Sequence, residues 1–329
     1  MSSVRQHFHP RWILNTWLDI AFFVATPLLI IPVVFTAGAK WQAEDVFLIV
    51  STFGALGHHA PGLMRAYGDR QLFRRFWLRF TLVPIIAVGV FTYYSVEELP
   101  GLMLVLLSWG IWHFLMQTYG FARIYDSKVR CFDVTTRRLD FAVCVAWFGT
   151  CVLSAPNRMS EFLSLALKSG LSFVVEFPLE EFRLLWMGAT AIVTVLFIGN
   201  VVKKTLRGEA VNSAKLILLV STFLFFWMCT VTLTSFVIGI AMFELFHDVQ
   251  YLAIVWLFNR NRVEKEADVG PFTRFVFRRS GGMVGLYLGL VVAYGFIGFA
   301  AERLTSATLQ QTLFGIVAAS NLLHFYYDG

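Results

Sequence analysis

The sequence predicts an all-α fold, a polytopic helical bundle of about ten transmembrane helices with its N-terminus in the cytoplasm. Three observations predict it. Of the 329 residues, 57% are apolar and only 15% are charged, against about 25% charged in a soluble domain. The apolar residues fall in blocks of about 20, enough to cross a hydrocarbon core of about 30 Å at about 1.5 Å per residue. The basic residues are sorted: 22 of the 27 Lys and Arg fall at the N-terminus or in the segments after even-numbered spans. Cytoplasmic loops carry that excess, and a miscounted span would scramble it.

The spans read, in order, 12–38, 46–67, 76–96, 101–124, 138–155, 182–202, 213–233, 235–258, 281–301 and 307–328. The first is too long for the apolar core of a secretory signal. The minority side holds only Lys40, Arg158, Lys168, Arg183 and Arg303. Two segments do not read as spans. Residues 157–181 mix apolar residues with Ser, Lys and Glu and read as an outer interfacial segment. Residues 259–280 form a basic cytoplasmic loop ending in FTRFVFRRS, placed to rest on anionic headgroups. The rest reads as a single membrane domain, with no repeat and no soluble domain. The expected location is a bacterial inner membrane. The net charge of +6 is a topology signal and implies no nucleic-acid partner. Four cysteines without C-x-x-C spacing read as small apolar fillers.

The histidines carry the functional signal. His7 and His9 lie in the N-terminal tail. His58, His59, His113, His247 and His324 all lie in even-numbered spans, which run in the same direction. Counted from the span start, His58, His113 and His247 are each the thirteenth residue and His324 is the eighteenth. That puts the first three, with His59, at one depth and His324 up to about 8 Å nearer the cytoplasm, within what helix tilt accommodates. One intramembrane histidine is more often a packing residue than a ligand. Five at a shared layer point to a metal, because polar groups in hydrocarbon are costly and imidazole is the commonest ligand.

Polar neighbours strengthen that reading. In FELFHDVQY, Glu244, His247, Asp248 and Tyr251 share one helix face. His324 has Asp328 one turn on, and His113 has Gln117. These partners can ligate, or orient the imidazoles from behind. In GALGHHAPG, adjacent side chains point about 100° apart. Either a backbone distortion lets both His58 and His59 bind, or one binds and the other pairs elsewhere. The candidate metal ligands are thus His58, His59, His113, Glu244, His247, Asp248, His324 and Asp328, with Tyr251 and Gln117 as candidate catalytic groups.

Histidine with carboxylate favours non-haem iron. Inside a bilayer, such a site suits O2 chemistry on a membrane lipid or another apolar small molecule. The WHF of 112–114 and the His–Asp pairs resemble the His-Phe and His-Asp elements of bacterial membrane β-carotene-cleaving dioxygenases, the rhodopsin-associated family. The resemblance is architectural and covers spans 2 to 10. It implies one iron held by histidines from several transmembrane helices, and cleavage of an elongated apolar polyene. Membrane desaturases and hydroxylases are excluded, since their H-x-x-x-H and H-x-x-H-H clusters are missing here. Two other classes stay open. A haem protein would use two of the histidines across a porphyrin, and a metal or proton transporter would use a His–Asp relay.

Overall fold

A computed structural model of the chain describes residues 11–175, 177–266 and 269–328, with side chains at 156, 157, 174, 175 and 328 left out. His7 and His9 therefore lie outside the described residues. Among the described residues there is no β-strand. The helices are α1 (Thr16–Asp19), α2 (Thr26–Gly38), α3 (Ala43–Ile49), α4 (His59–Gly68), α5 (Arg70–Arg75), α6 (Trp77–Val96), α7 (Gly101–Lys128) and α8 (Val134–Leu153). They continue as α9 (Pro156–Lys168), α10 (Leu179–Leu206), α11 (Ser213–Trp227), α12 (Phe236–Lys265), α13 (Pro271–Val276), α14 (Gly281–Glu302) and α15 (Ala307–Asp328). π-Helical stretches at Ile20–Val24, Val50–Leu56 and Met228–Thr232 join or extend some of them.

The chain is a membrane protein by this architecture. Among the described residues, seven helices are long and apolar enough to cross a bilayer, or up to nine if each of two bent pairs forms one span. The first bent pair, Thr16–Val24 with Thr26–Gly38, turns by 51° where the π-stretch ends and Pro27 follows. Each of the ten expected spans falls on helix. The tenth, α15, is a 22-residue helix that is not among those apolar enough to count as a span. The expected outer segment 157–181 contains α9 and a short 3-10 turn at Ser172–Val175. The expected loop 259–280 is shorter than predicted, because α12 runs on to Lys265 and α13 fills Pro271–Val276.

Two compact units partition the chain: Met1–Thr36 with Ile111–Phe243, and Ala37–Gly110 with Glu244–Gly329. In the first, α8 and α10 meet along small and hydroxyl residues. Thr150 and Thr190 hydroxyls are 2.8 Å apart, and Trp186 Nε1 donates to the Ala146 carbonyl at 3.0 Å. The Trp186 ring lies over Gly149, where a β-carbon would collide with it. Phe148, Phe226 and Phe243 fill the space behind, with the Phe148 and Phe226 rings stacked at 4.5 Å.

One end of this unit is closed by charge. Lys215 is 2% exposed and lies 2.9 Å from Asp126 and 3.1 Å from Asp140. Arg123 reaches the same two carboxylates at 2.7 and 3.1 Å. Two cations thus balance two buried anions, the arrangement a low-dielectric interior requires. Asp19, fully buried, accepts from Tyr125 Oη at 2.9 Å and from the N–H groups of Ile13 and Leu14. Asn212 ties the Arg11 and Tyr125 carbonyls to the start of α11.

In the second unit, α6 and α15 pack through Ala87, Phe91, Ala318, Ala319 and Leu323. Gly315 lets the two backbones touch at Thr92, and Ser95 Oγ donates to the Gln311 carbonyl at 2.7 Å. α14 crosses the π-stretch Val50–Leu56 as closely. A β-carbon on Gly295 would fall onto the Thr52 carbonyl, and one on Gly57 would come within 2.9 Å of the Val291 carbonyl. These crossings accompany the meeting of the α3–α4 span with α15, at His58 and His324.

Candidate metal centre

The span holding His58 and His59 is not a regular helix. α3 passes into the π-stretch Val50–Leu56, and α4 begins at His59. The Gly57 N–H reaches back five residues to the Thr52 carbonyl at 3.2 Å, the wide turn of a π-bulge. Gly54 makes room on the inner side, since a β-carbon there would strike the Asp248 carboxylate. The distortion settles which neighbour faces the cluster.

His58 is 3% exposed. Its Nδ1 is 3.2 Å from the Gly54 carbonyl and 2.8 Å from Asp248 Oδ1. The carbonyl lies on the N–H direction, while the carboxylate meets the ring by charge and proximity. With the proton on Nδ1, the Nε2 lone pair is directed at the interior of the cluster, 3.0 Å from His324 Nε2. His247, one helical turn from Tyr251 on α12, closes the group. His58 packs edge-on to both His247, at 5.0 Å, and His324, at 4.4 Å. A ring nitrogen from each of His58, His247 and His324 lies within 4.8 Å of the others.

Could these side chains hold an ion? Two imidazole nitrogens bound at about 2.1 Å to one metal stand about 3.0 Å apart at a right-angled approach, which matches the His58–His324 pair. The three imidazoles are buried, and Asp248 sits behind His58 as carboxylates sit behind metal-bound histidines. Glu244, one turn before Asp248 on α12, has a buried carboxylate oxygen, Oε2, that accepts no hydrogen bond among the described residues, but it is not among the ligand atoms that lie within 4.8 Å of one another. A buried acceptor left in this way costs free energy unless a cation or a proton meets it. The donor set fits a divalent ion of the imidazole- and carboxylate-binding kind.

The other predicted residues are placed as follows. His59 turns from the group: its Nδ1 is 3.0 Å from Ser320 Oγ, which is 2.7 Å from Tyr294 Oη. Its ring stacks on His324 at 4.8 Å and supports it. Tyr251 stands edge-on to His324 at 4.9 Å and to His58 at 5.4 Å. A β-carbon on Gly62 would be 3.4 Å from the Tyr251 hydroxyl and 3.6 Å from His324 Nδ1, so both groups line one small space. His113, in the first unit, is buried on α7, with Gln117 one turn along. The Asp328 side chain lies outside the described residues.

Sequence reasoning missed Ser320 and Tyr294, which hold His59, and Gly54, which admits Asp248. It also gave no site role to Asp19, Asp126, Asp140 or Lys215, all four of which are buried.

No protein-family model, characterised protein or solved structure matches this chain at a significant level.

Proposed function

We propose that the chain is a membrane-embedded non-haem iron oxygenase acting on a lipid-soluble substrate, an elongated apolar polyene being the class its resemblance implies. The observation that carries the reading is the packing of three buried imidazoles, with ring nitrogens within 4.8 Å of each other, and of the buried Asp248 against His58. The proposed ligands are His58, His247 and His324, with Glu244 as the carboxylate. His113 joins them on its depth in the sequence alone. The ten-span count, the cytoplasmic N-terminus and the bacterial inner membrane belong to the same proposal, on the sorting of Lys and Arg.

Bound iron would supply O2 activation. The protein's part is positional. Asp248 and the Gly54 carbonyl hold the His58 proton on Nδ1 and keep Nε2 available. Ser320 and Tyr294 fix His59, which in turn braces the His324 ring. The Tyr251 hydroxyl holds a proton beside His324, where it can be donated to an oxygen of the reacting substrate. Phe246, buried on the same helix, keeps bulk water away.

The edge-to-face packing of the histidines supports non-haem over haem, because rings at 4.4–5.0 Å leave no slot for a porphyrin between them. A second reading, a metal or proton carrier, is favoured by the His58–Asp248 pair, which has the form of a proton relay. Elemental analysis and the visible spectrum of detergent-purified protein separate the three. Iron near one per chain without a Soret band, lost in His247→Ala and His113→Ala, supports the oxygenase and justifies O2-uptake assays with polyenes. A Soret band moves the reading to haem. No bound metal in the wild type overturns the metalloenzyme and leaves the carrier.

A further inference from the structure

A second surface carries chemistry that the histidine cluster does not explain. It lies at the end of the second unit where the span Ala43–Gly68 finishes, Trp77–Val96 starts, Phe236–Lys265 finishes and Gly281–Glu302 starts. Two short helices cover it, α5 and α13. They are some 200 residues apart in sequence and are joined at the backbone. Gly270 is packed so closely on Gly68 that a β-carbon there would come within 2.6 Å of the Gly68 carbonyl. The Phe272 ring lies as tightly over Gly68 itself. Asp69 caps α5 and binds Arg262 of α12 at 3.0 Å.

The charge on this surface is one-sided. Its described acidic residues are engaged: Asp69 and Glu266 with Arg262, and Glu264 with Arg260. Arg70, Arg74, Arg75, Arg278 and Arg279 are exposed and have no carboxylate partner among the described residues. Aromatic side chains stand among them. Thr273, Val276 and Phe277 of α13 and its end face inward, while Phe272 and Phe275 are 44% and 51% exposed. Trp77 is 55% exposed. The Arg278 guanidinium lies 4.9 Å from the Phe275 ring, and that of Arg75 lies 5.2 Å from Phe76.

Topology alone asks for arginines in such loops, but it does not ask for two loops fastened into one face. Nor does it ask for aromatic rings facing outward beside them. Apolar rings at the acyl boundary with guanidinium groups at phosphate height match a phospholipid that carries net negative charge. We propose that α5 and α13 form a binding surface for anionic phospholipid headgroups. Guanidinium groups from both helices hold the phosphates, and Phe272 and Phe275 enter the boundary between headgroups and chains.

The test uses delipidated full-length protein in a neutral detergent, with unfolding temperature read by tryptophan fluorescence. Phosphatidylglycerol is expected to raise it, and phosphatidylcholine at the same mole ratio to do so at least about threefold less. About 0.5 M salt should remove most of the difference. The quadruple variant R74Q/R75Q/R278Q/R279Q should lose the preference, while R74K/R75K/R278K/R279K should keep much of it. Equal shifts for the two lipids in wild type, or an undiminished preference in the glutamine variant, overturn the proposal. So does inorganic phosphate matching phosphatidylglycerol, since that marks a free-anion site. Should the glutamine variant fail to insert, native mass spectrometry of the wild type decides. Retained phosphatidylglycerol that leaves with rising salt supports the surface, and no retained anionic lipid overturns it.

Discussion

His58 Nδ1 lies 2.8 Å from Asp248, and His59 Nδ1 lies 3.0 Å from Ser320, so adjacent histidines have different neighbours and different tasks. If His58 is a ligand and His59 a brace, their replacements should part company. His58→Ala should lower bound metal at least tenfold, whereas His59→Ala should retain most of it with a reduced unfolding temperature. The latter loses a buried hydrogen bond and a ring stack, a cost of about 1–3 kcal/mol. Metal content and thermal unfolding on the same preparations check both; equal loss of metal would make His59 a ligand. At this scale much was legible in the sequence. Counting residues from span starts brought His58 and His247 to one depth, because helical rise is fixed, and His324 to within about 8 Å of it. The choice between His58 and His59 was not, since it depends on a local change of helical winding. Ser320 and Tyr294 gave no signal, because hydroxyl residues in apolar helices commonly bond their own backbone, as Thr118 bonds Phe114.

Among the elements, the π-stretch Val50–Leu56 and α14 form the most demanding contact. Gly295 meets the Thr52 carbonyl and the Phe53 Cα, which are backbone and cannot turn aside. Gly289, two turns earlier on α14, has nothing within 4 Å of a β-carbon position. Gly295→Ala should therefore destabilise by about 1–3 kcal/mol, the cost of overpacking. Gly289→Ala should be neutral or stabilising by up to about 1 kcal/mol, from the helix propensity of Ala over Gly. Thermal unfolding of the pair in one detergent reads the difference, and equal effects would refute the close crossing. The glycines of GALGHHAPG were visible in the sequence as a possible distortion, but Gly295 and the partner backbone that makes it necessary were not.

The cap of α5 adds a pH dependence at the same scale. Burial pushes the Asp69 carboxyl upward, but the Leu72 N–H, the Arg262 guanidinium and the Gln71 N–H outweigh it and hold the pKa below its usual value. A depressed carboxylate stabilises the fold fully above its unfolded pKa, about 3.9, and loses that contribution as pH falls through the folded value. Amide exchange over residues 70–75, corrected for intrinsic rates, should stay protected from neutral pH down to about 5 and weaken only below about 4. In Asp69→Ala, protection should be low throughout and insensitive to pH in this window. Protection that fails already near neutral pH would contradict the capping role.

At the scale of the whole molecule, a helical membrane protein was legible from composition and block length, because a bilayer admits few alternatives. The count is the harder quantity, and α15 shows why. It falls short in apolarity, yet two of its polar residues face the interior of its unit. Ser320 and His324 are buried and bonded to His59 and His58, and Ala318 and Ala319 are buried against α6. A helix that carries a site reads as less apolar than one that meets lipid, so average apolarity undercounts functional spans. Ten spans with a cytoplasmic N-terminus place residues 97 and 306 outside, and residues 210 and 280 and the end of α15 inside. On a cysteine-free background, Glu97→Cys and Ser306→Cys should react with an impermeant maleimide in intact cells. Ala210→Cys and Ser280→Cys should react only after permeabilisation, and a tag appended after Gly329 should be shielded until then. An accessible tag with position 306 also labelled would mean that α15 does not cross. The site would then need His324 to reach the cluster from a helix lying on the membrane, which the packing of α15 along α6 does not permit. A shielded tag would give all the histidine-bearing helices one direction, as the depth argument requires.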